Sequence, residues 1–229
     1  MATHPALDLA ADRDLGALPL RERKKIQTGM KIWRTAIGLF AERGFDQVSV
    51  AEIAAAAEVS KMTVFNYFPS KEDLVMAPME QHLDEPARVV RERAPGTSAV
   101  AALREQFIAA LEAFDPATGL NDDQVVLDVV RLIHATPTLA VRATTGLTRQ
   151  AQDLLTAELI AQDPAHDELT ARVAAAQLLA VRLTLTAGNQ RRMLAGEPAA
   201  DTLPAALDAA RRAFALVERG LGEYCAVAA

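Results

Sequence analysis

The sequence predicts an all-α chain, and three observations predict it. Apolar residues recur at three- and four-residue spacing in one segment after another. Proline, glycine and helix-capping residues punctuate those segments at their ends. Strand signals are poor: alanine is abundant, β-branched runs are short, and aromatic residues make up only 4% of the chain, too few for a well-packed pleated sheet.

The first helix is carried by Ile26, Met30, Trp33, Ile37 and Phe40, with Ala36 and Leu39 widening the apolar stripe. Trp33 reads as a core residue. Gly44, just past Arg43, suits a left-handed C-terminal cap. Residues 21–34 hold six positive charges against Glu22 alone, although the whole chain is acidic, at −6. The global charge argues against a general polyanion binder. The local cluster, including Lys24 and Lys25, can still grip backbone phosphate without reading sequence.

Residues 49–68 read as two short helices joined by a tight turn. Ser49 and Glu52 have the spacing of a capping box. Val50, Ile53, Ala54 and Ala57 then form one apolar face, and the small residues 54–57 permit close helix–helix approach. The turn falls at Glu58-Val59, and Ser60 caps the second helix. Val64 and Phe68, four apart, anchor it to the core. Pro69 ends it, and Ser70 with Asp73 opens the next. This is the layout of a DNA-reading helix-turn-helix. Lys61 and Lys71 can neutralise phosphates, and the Thr63 and Tyr67 hydroxyls can donate to them. Asn66 can pair with adenine edges, while Phe65 and Met62 can contact a thymine methyl. The expected DNA-facing set is Lys24, Lys25, Ser49, Ser60, Lys61, Met62, Thr63, Phe65, Asn66, Tyr67 and Lys71.

From Ser70 onward the chain reads as helix after helix. A fourth helix is expected over residues 70–93, interrupted by Pro78 and Pro86. A fifth spans residues 98–114. Asn121 with Gln124 suggests the cap of a sixth, reaching residue 135. A seventh starts at Pro137, suited to a first helical position, and runs to residue 162. Two long helices close the chain, over 167–195 and 202–222. Leu169, Val173, Ala176, Ala180, Leu183 and Ala187 mark the first stripe. Leu203, Ala206, Leu207, Ala210, Phe214, Val217 and Leu221 mark the second. About nine helices result, in three regions: a tail expected to be disordered (1–20), a helix-turn-helix domain (21–69) and a helical body (70–229). The tail lacks the charged start and apolar run of a secretory signal. No stretch reaches the roughly 18 unbroken apolar residues of a membrane span. Cys225 has no partner for an internal disulfide, which fits a reducing cytoplasm.

Residues 26–75 resemble the DNA-binding domain of the tetracycline-repressor (TetR) family. The resemblance runs through A-x-x-L-F-A-E-R-G-F-D (36–46), V-S-V-A-E-I-A (48–54), A-E-V-S-K-M-T-V-F-N-Y-F (57–68) and P-S-K-E-D-L (69–74), in the family's order and spacing. It covers about 50 of 229 residues. Phe65 stands where Tyr is frequent, and Met62 where Gly is frequent. The resemblance implies a regulator that binds palindromic double-stranded DNA as a homodimer, paired through the helices near 167–195 and 202–222. It also implies a small-molecule effector that enters the body, shifts the fourth helix and releases the operator; a repressor is expected, although repression or activation depends on where the site lies relative to a promoter. A pocket between helices would draw on Phe107, Leu111, Phe114, Arg131, His134 and Gln177, with His134 turned inward behind Leu132-Ile133.

Two other readings remain open at this level. One is a helical adaptor that uses the hairpin surface to bind protein. The other is an α-helical enzyme, which the motifs disfavour. There is no phosphate-cradling Gly loop, nucleophile elbow, H-E-x-x-H or Cys pair. The histidines at 4, 82, 134 and 166 have no metal spacing. Asp122-Asp123 sits where a helix's first turn welcomes acids. No catalytic residue, metal or cofactor is expected.

Overall fold

The computed structural model describes residues 19–163 and 167–220, and every described element is helical. The tail up to residue 18, His4, His166, Leu221 and Cys225 lie outside the described residues. The α-helices are α1 (Leu20–Arg43), α2 (Val50–Ala56), α3 (Lys61–Tyr67), α4 (Lys71–Glu80), α5 (Glu85–Glu92), α6 (Ala99–Glu112), α7 (Gln124–Ala135), α8 (Pro137–Val141), α9 (Thr148–Gln162), α10 (Glu168–Leu194) and α11 (Ala199–Arg219). A 3-10 turn lies at Pro116–Thr118, and a π-helical segment, Arg142–Leu147, joins α8 to α9.

The helices gather into two compact units. One comprises the chain to His82 together with Asp123–Leu147. The other comprises Leu83–Asp122 and the chain from Thr148 onward. The 70–229 body expected from sequence is thus divided: α4, α7, α8 and the π segment group with the N-terminal helices.

In the first unit the core is the α1 stripe: Ile32, Trp33, Ala36, Ile37 and Phe40 are buried. Phe45, Val48, Ile53, Ala54, Ala57, Val64, Phe68 and Leu74 join them as buried side chains. The Phe40 and Phe45 rings lie 5.1 Å apart. Gly44 ends α1 at φ 86°, ψ 151°, and its N–H donates to the Phe40 carbonyl at 2.8 Å. The positive φ matches the expectation of a glycine cap, although the ψ lies outside the left-handed helical well.

The expected 70–93 helix is two helices. The break is at residues 81–84 and not at either proline. Pro78 sits buried inside α4, near its end, and Pro86 is the second residue of α5, where no i−4 donor is required. The cap of α7 is Asp123, whose carboxylate accepts the Val125 N–H at 2.8 Å. Asn121, expected in that role, donates its amide to the Phe114 carbonyl instead. The seventh helix begins at Pro137 as expected, but the π segment divides it.

In the second unit α6 and α11 share a core built on Phe107, Leu111, Ala206, Ala210 and Phe214. Arg182 of α10 donates to Glu85 at 2.8 Å and to Gln106 at 2.8 Å, and Gln106 closes the triad by donating to Glu85 at 2.6 Å. Both charges are largely buried and fully partnered, as a buried ion pair requires. The 113–122 loop is fastened to the two long helices. Asn189 donates to the Thr118 carbonyl, Thr186 to the Ala117 carbonyl, and the Ala199 N–H to Asp122. Asp122 and Asp123 therefore both serve helix N-termini.

The predicted apolar stripe of α10 faces outward. Leu169 is 71% exposed and Leu183 48%, while Ala171, Ala175, Leu178, Leu179 and Met193 form the buried face. Averaged over its most apolar window, α10 has the length and hydropathy of a membrane span, at 1.2, with 22% of that window buried.

Gly119 is the tightest point of the second unit. Its φ is +73°, and a Cβ there would stand 2.4 Å from the Thr186 carbonyl oxygen and 2.9 Å from Gln190 Cγ. Gly119→Ala combines overpacking against backbone with left-handed strain. It should lower stability by about 2–4 kcal/mol in denaturant unfolding.

Candidate nucleic-acid interface

The hairpin is assembled from caps. The Glu52 N–H donates to Ser49 Oγ at 3.3 Å, and the Glu52 carboxylate accepts from the Ser49 N–H and hydroxyl, each at 2.8 Å. Arg43 donates to the other Glu52 oxygen at 2.7 Å, which ties the end of α1 to the start of α2. The backbone and hydroxyl bonds from Ser49, with the Arg43 guanidinium, pull the Glu52 pKa down to about 2.

Glu58 makes the turn at φ 56°, in the left-handed region where glycine is usual. The Glu58 N–H donates to the Ala55 carbonyl and the Val59 N–H to the Ala54 carbonyl, the paired bonds of a Schellman cap. Lys31 of α1 reaches the Glu58 carboxylate at 2.7 Å and holds it below its ordinary pKa. Ser60 then caps α3, accepting the Thr63 N–H at 2.9 Å.

On α3, Val64 is buried, as is Phe68 just beyond the helix. The opposite face carries Lys61, Met62, Phe65 and Asn66, all exposed, Met62 at 68% and Phe65 at 38%. The spacing i, i+1, i+4, i+5 keeps these four on one side of the helix. Lys61 Nζ lies 5.8 Å over the Phe65 ring. Thr63 and Tyr67 are half-buried at the flanks. Lys24 and Lys25 are exposed near the start of α1.

Other members of the expected set have structural employment. Ser49 and Ser60 spend their hydroxyls on caps. Lys71 points inward, donating to the Phe45 and Val48 carbonyls at 2.8 and 3.2 Å with its ammonium 4.2 Å from the Phe45 ring. It bolts the first turn of α4 to the approach to α2, where a phosphate contact had been expected.

Sequence reasoning missed Arg142, which is distant in sequence from the helix it grips. Its guanidinium lies 2.5 Å from Asp73 and 2.5 Å from Glu80, near the two ends of α4. Asp73 also accepts from the Ser70 N–H and hydroxyl in the α4 capping box. Burial alone would raise the Asp73 carboxyl, but the Ser70 and Arg142 bonds outweigh it and hold the group below its ordinary value.

The six expected pocket residues divide between the two units. Arg131 and His134 belong to the first unit, and Phe107, Leu111, Phe114 and Gln177 to the second. Phe107 and Leu111 fill core space, with Phe107 6.1 Å from the Phe214 ring. Phe114 ends α6 at φ 52°. Gln177 is exposed. His134 is exposed in the last turn of α7, where a histidine complements the helix's negative end, and does not face inward as expected. Arg131, paired with Asp128, borders a half-open cleft of about 410 Å³ between α1 and α7, lined also by Phe40, Phe45, Leu132 and Thr136. A second cleft, of about 500 Å³, lies along α10 and α11 beside Thr184, Gly188, Arg192 and Ala205. Among the described residues, no group of three or more His, Cys, Asp or Glu side chains is placed to hold a metal ion.

Lowering the pH tests the α2 cap. With its folded pKa depressed to about 2, Glu52 contributes stability above about pH 4.5 that is lost as pH falls toward 2. Wild type should therefore lose more thermal stability than Glu52→Gln between those values, as followed by circular dichroism.

Residues 32–77 match the family model described as bacterial regulatory proteins, tetR family. Among curated proteins, the HTH-type transcriptional regulator TcmR of Streptomyces glaucescens is 32% identical over 122 residues, covering 52% of this chain and 54% of TcmR. The HTH-type regulator YuxN of Bacillus subtilis is 34% identical over 89 residues, covering 38% of this chain and 29% of YuxN. The chain thus spans about half or less of the length of these relatives. Among solved structures, Salmonella enterica GusR superposes with a TM-score of 0.52 at 23% identity, over 84% of this chain and 96% of that one. NalD, the secondary repressor of a multidrug efflux pump in Pseudomonas aeruginosa, does so with a TM-score of 0.52 at 18% identity, over 83% and 96%. At these identities the likeness establishes the fold.

Proposed function

We propose that this chain, whose residues 32–77 match the model of the tetR family of bacterial regulatory proteins, is a cytoplasmic transcriptional repressor that binds a palindromic operator as a homodimer and is released by a small molecule. The observation that carries this reading is the exposed face of α3. Lys61, Met62, Phe65 and Asn66 stand clear of the core, while Val64 and Phe68 anchor the same segment. A merely solvated face has little use for exposed Phe and Met side chains. Here they lie beside a cation and an amide, the mixture that reads thymine methyls, phosphates and adenine edges.

One hairpin touches too few base pairs for useful specificity. Two related by a two-fold axis would read half-sites about 34–36 Å apart. The outward stripe of α10 supports pairing: Leu169, Val173 and Leu183 are exposed on a helix whose opposite face is already packed. A second copy of this helix would cover them. This also accounts for the apolarity of α10 without a membrane, since its Arg182 is committed to Glu85 and Gln106 inside the protein. Release follows if the effector binds the non-operator conformation more tightly than the operator-bound one, because only differential affinity shifts the equilibrium.

Selection of duplexes from a random pool should return an inverted repeat for the wild-type chain. Asn66→Ala should cost about 1–3 kcal/mol at one base position and relax preference there. Lys61→Ala should weaken binding across all sequences and reduce the salt slope by about 1. A pool that yields no preferred sequence, or a footprint untouched by both substitutions, rules the reading out in favour of a protein-binding hairpin.

Leu183→Glu should convert a dimer into a monomer in sedimentation velocity while leaving the helical circular dichroism spectrum unchanged. A wild-type chain that sediments as a monomer would remove the dimer from the proposal.

A further inference from the structure

We propose that Arg142 is a positioning residue for DNA reading: its guanidinium, presented by the π-helical segment, holds α4 at both ends and through α4 sets the pose of the recognition helix α3. This rests on the reading of α3 as the DNA-contacting helix.

The contacts form a continuous chain. Arg142 bridges Asp73 and Glu80, seven residues and about two turns apart on α4. Asp73 is the acceptor of the α4 capping box, so the same carboxylate organises Ser70, the residue that follows the end of α3 at Phe68-Pro69. Lys71, in the first turn of α4, donates to the Phe45 and Val48 carbonyls at the approach to α2. The first turn of α4 is therefore fixed to the exit of α3 and the entry of α2 together. A rotation or slide of α4 moves both ends of the hairpin.

Two independent features mark residue 142 as the control point. It opens a six-residue π segment, a geometry poorer than the α-helix that surrounds it and frequent at functional sites. The chain also passes from one compact unit to the other at two neighbours of this clamp, just after Leu147 and just after His82, two residues beyond Glu80. Both carboxylates meet the same guanidinium nitrogen, Nη2, so a single charged group serves the two acceptors.

The test uses the full chain and a duplex selected by the wild type. Arg142→Gln should weaken binding of that duplex about tenfold, with the slope of log affinity against log salt unchanged, because no phosphate contact is lost. Arg142→Lys should recover part of the loss. Glu80→Gln, which spares the capping box, should weaken binding about threefold and keeps the question answerable if Arg142→Gln does not fold. Wild-type affinity in Glu80→Gln and in whichever Arg142 variants fold overturns the proposal, and so does a drop of about 1 in the salt slope, which would make Arg142 a phosphate contact. A wild-type chain that selects no duplex overturns the DNA-reading function itself, an outcome distinct from an operator bound equally by wild type and variants.

Discussion

Helix α3 has seven residues, and its shortness constrains everything around it. An isolated helix of that length does not persist in water, since nucleation costs more than so few hydrogen bonds return. The order of α3 is therefore borrowed. Ser60 supplies one orphan N–H with a partner, Val64 and Phe68 are buried with the stripe of α1, and Glu58 accepts a left-handed conformation to turn the chain toward it. Lys31 draws that strained turn toward α1. None of these contacts is large alone, and the exposed ion pairs contribute little each. Together they leave one face of α3 free to meet something outside the molecule.

The electrostatics are local. The chain is acidic overall, yet α1 opens with a cluster of cations and α3 with Lys61. Several of the remaining positive charges are consumed internally: Arg43 by Glu52, Arg142 by Asp73 and Glu80, Arg182 by Glu85. The paired arginines act as fasteners between helices.

The two long C-terminal helices divide their labour. Ala206, Ala210 and Phe214 of α11 pack inward, while the apolar stripe of α10 is left facing solvent. Both stripes have helical period in the sequence, and periodicity alone cannot tell a face that packs within the subunit from one that awaits a partner. The 113–122 loop, pinned by Asn189 and Thr186 with Gly119 in close approach, supports the inner arrangement.

What the sequence determined by itself is what depends on neighbours in the chain. The helical class, the capping boxes at Ser49 and Ser70, the anchors Val64 and Phe68 and the outward residues of α3 all follow from periods and spacings of three or four residues. What only the tertiary structure decided depends on pairs far apart in sequence. Lys71 turned inward because two carbonyls at residues 45 and 48 came within reach. Arg142 gained its place only when the π segment met α4. Side-chain charge and length are legible from sequence, but the acceptor a cation finds is set by which helices the whole chain brings together.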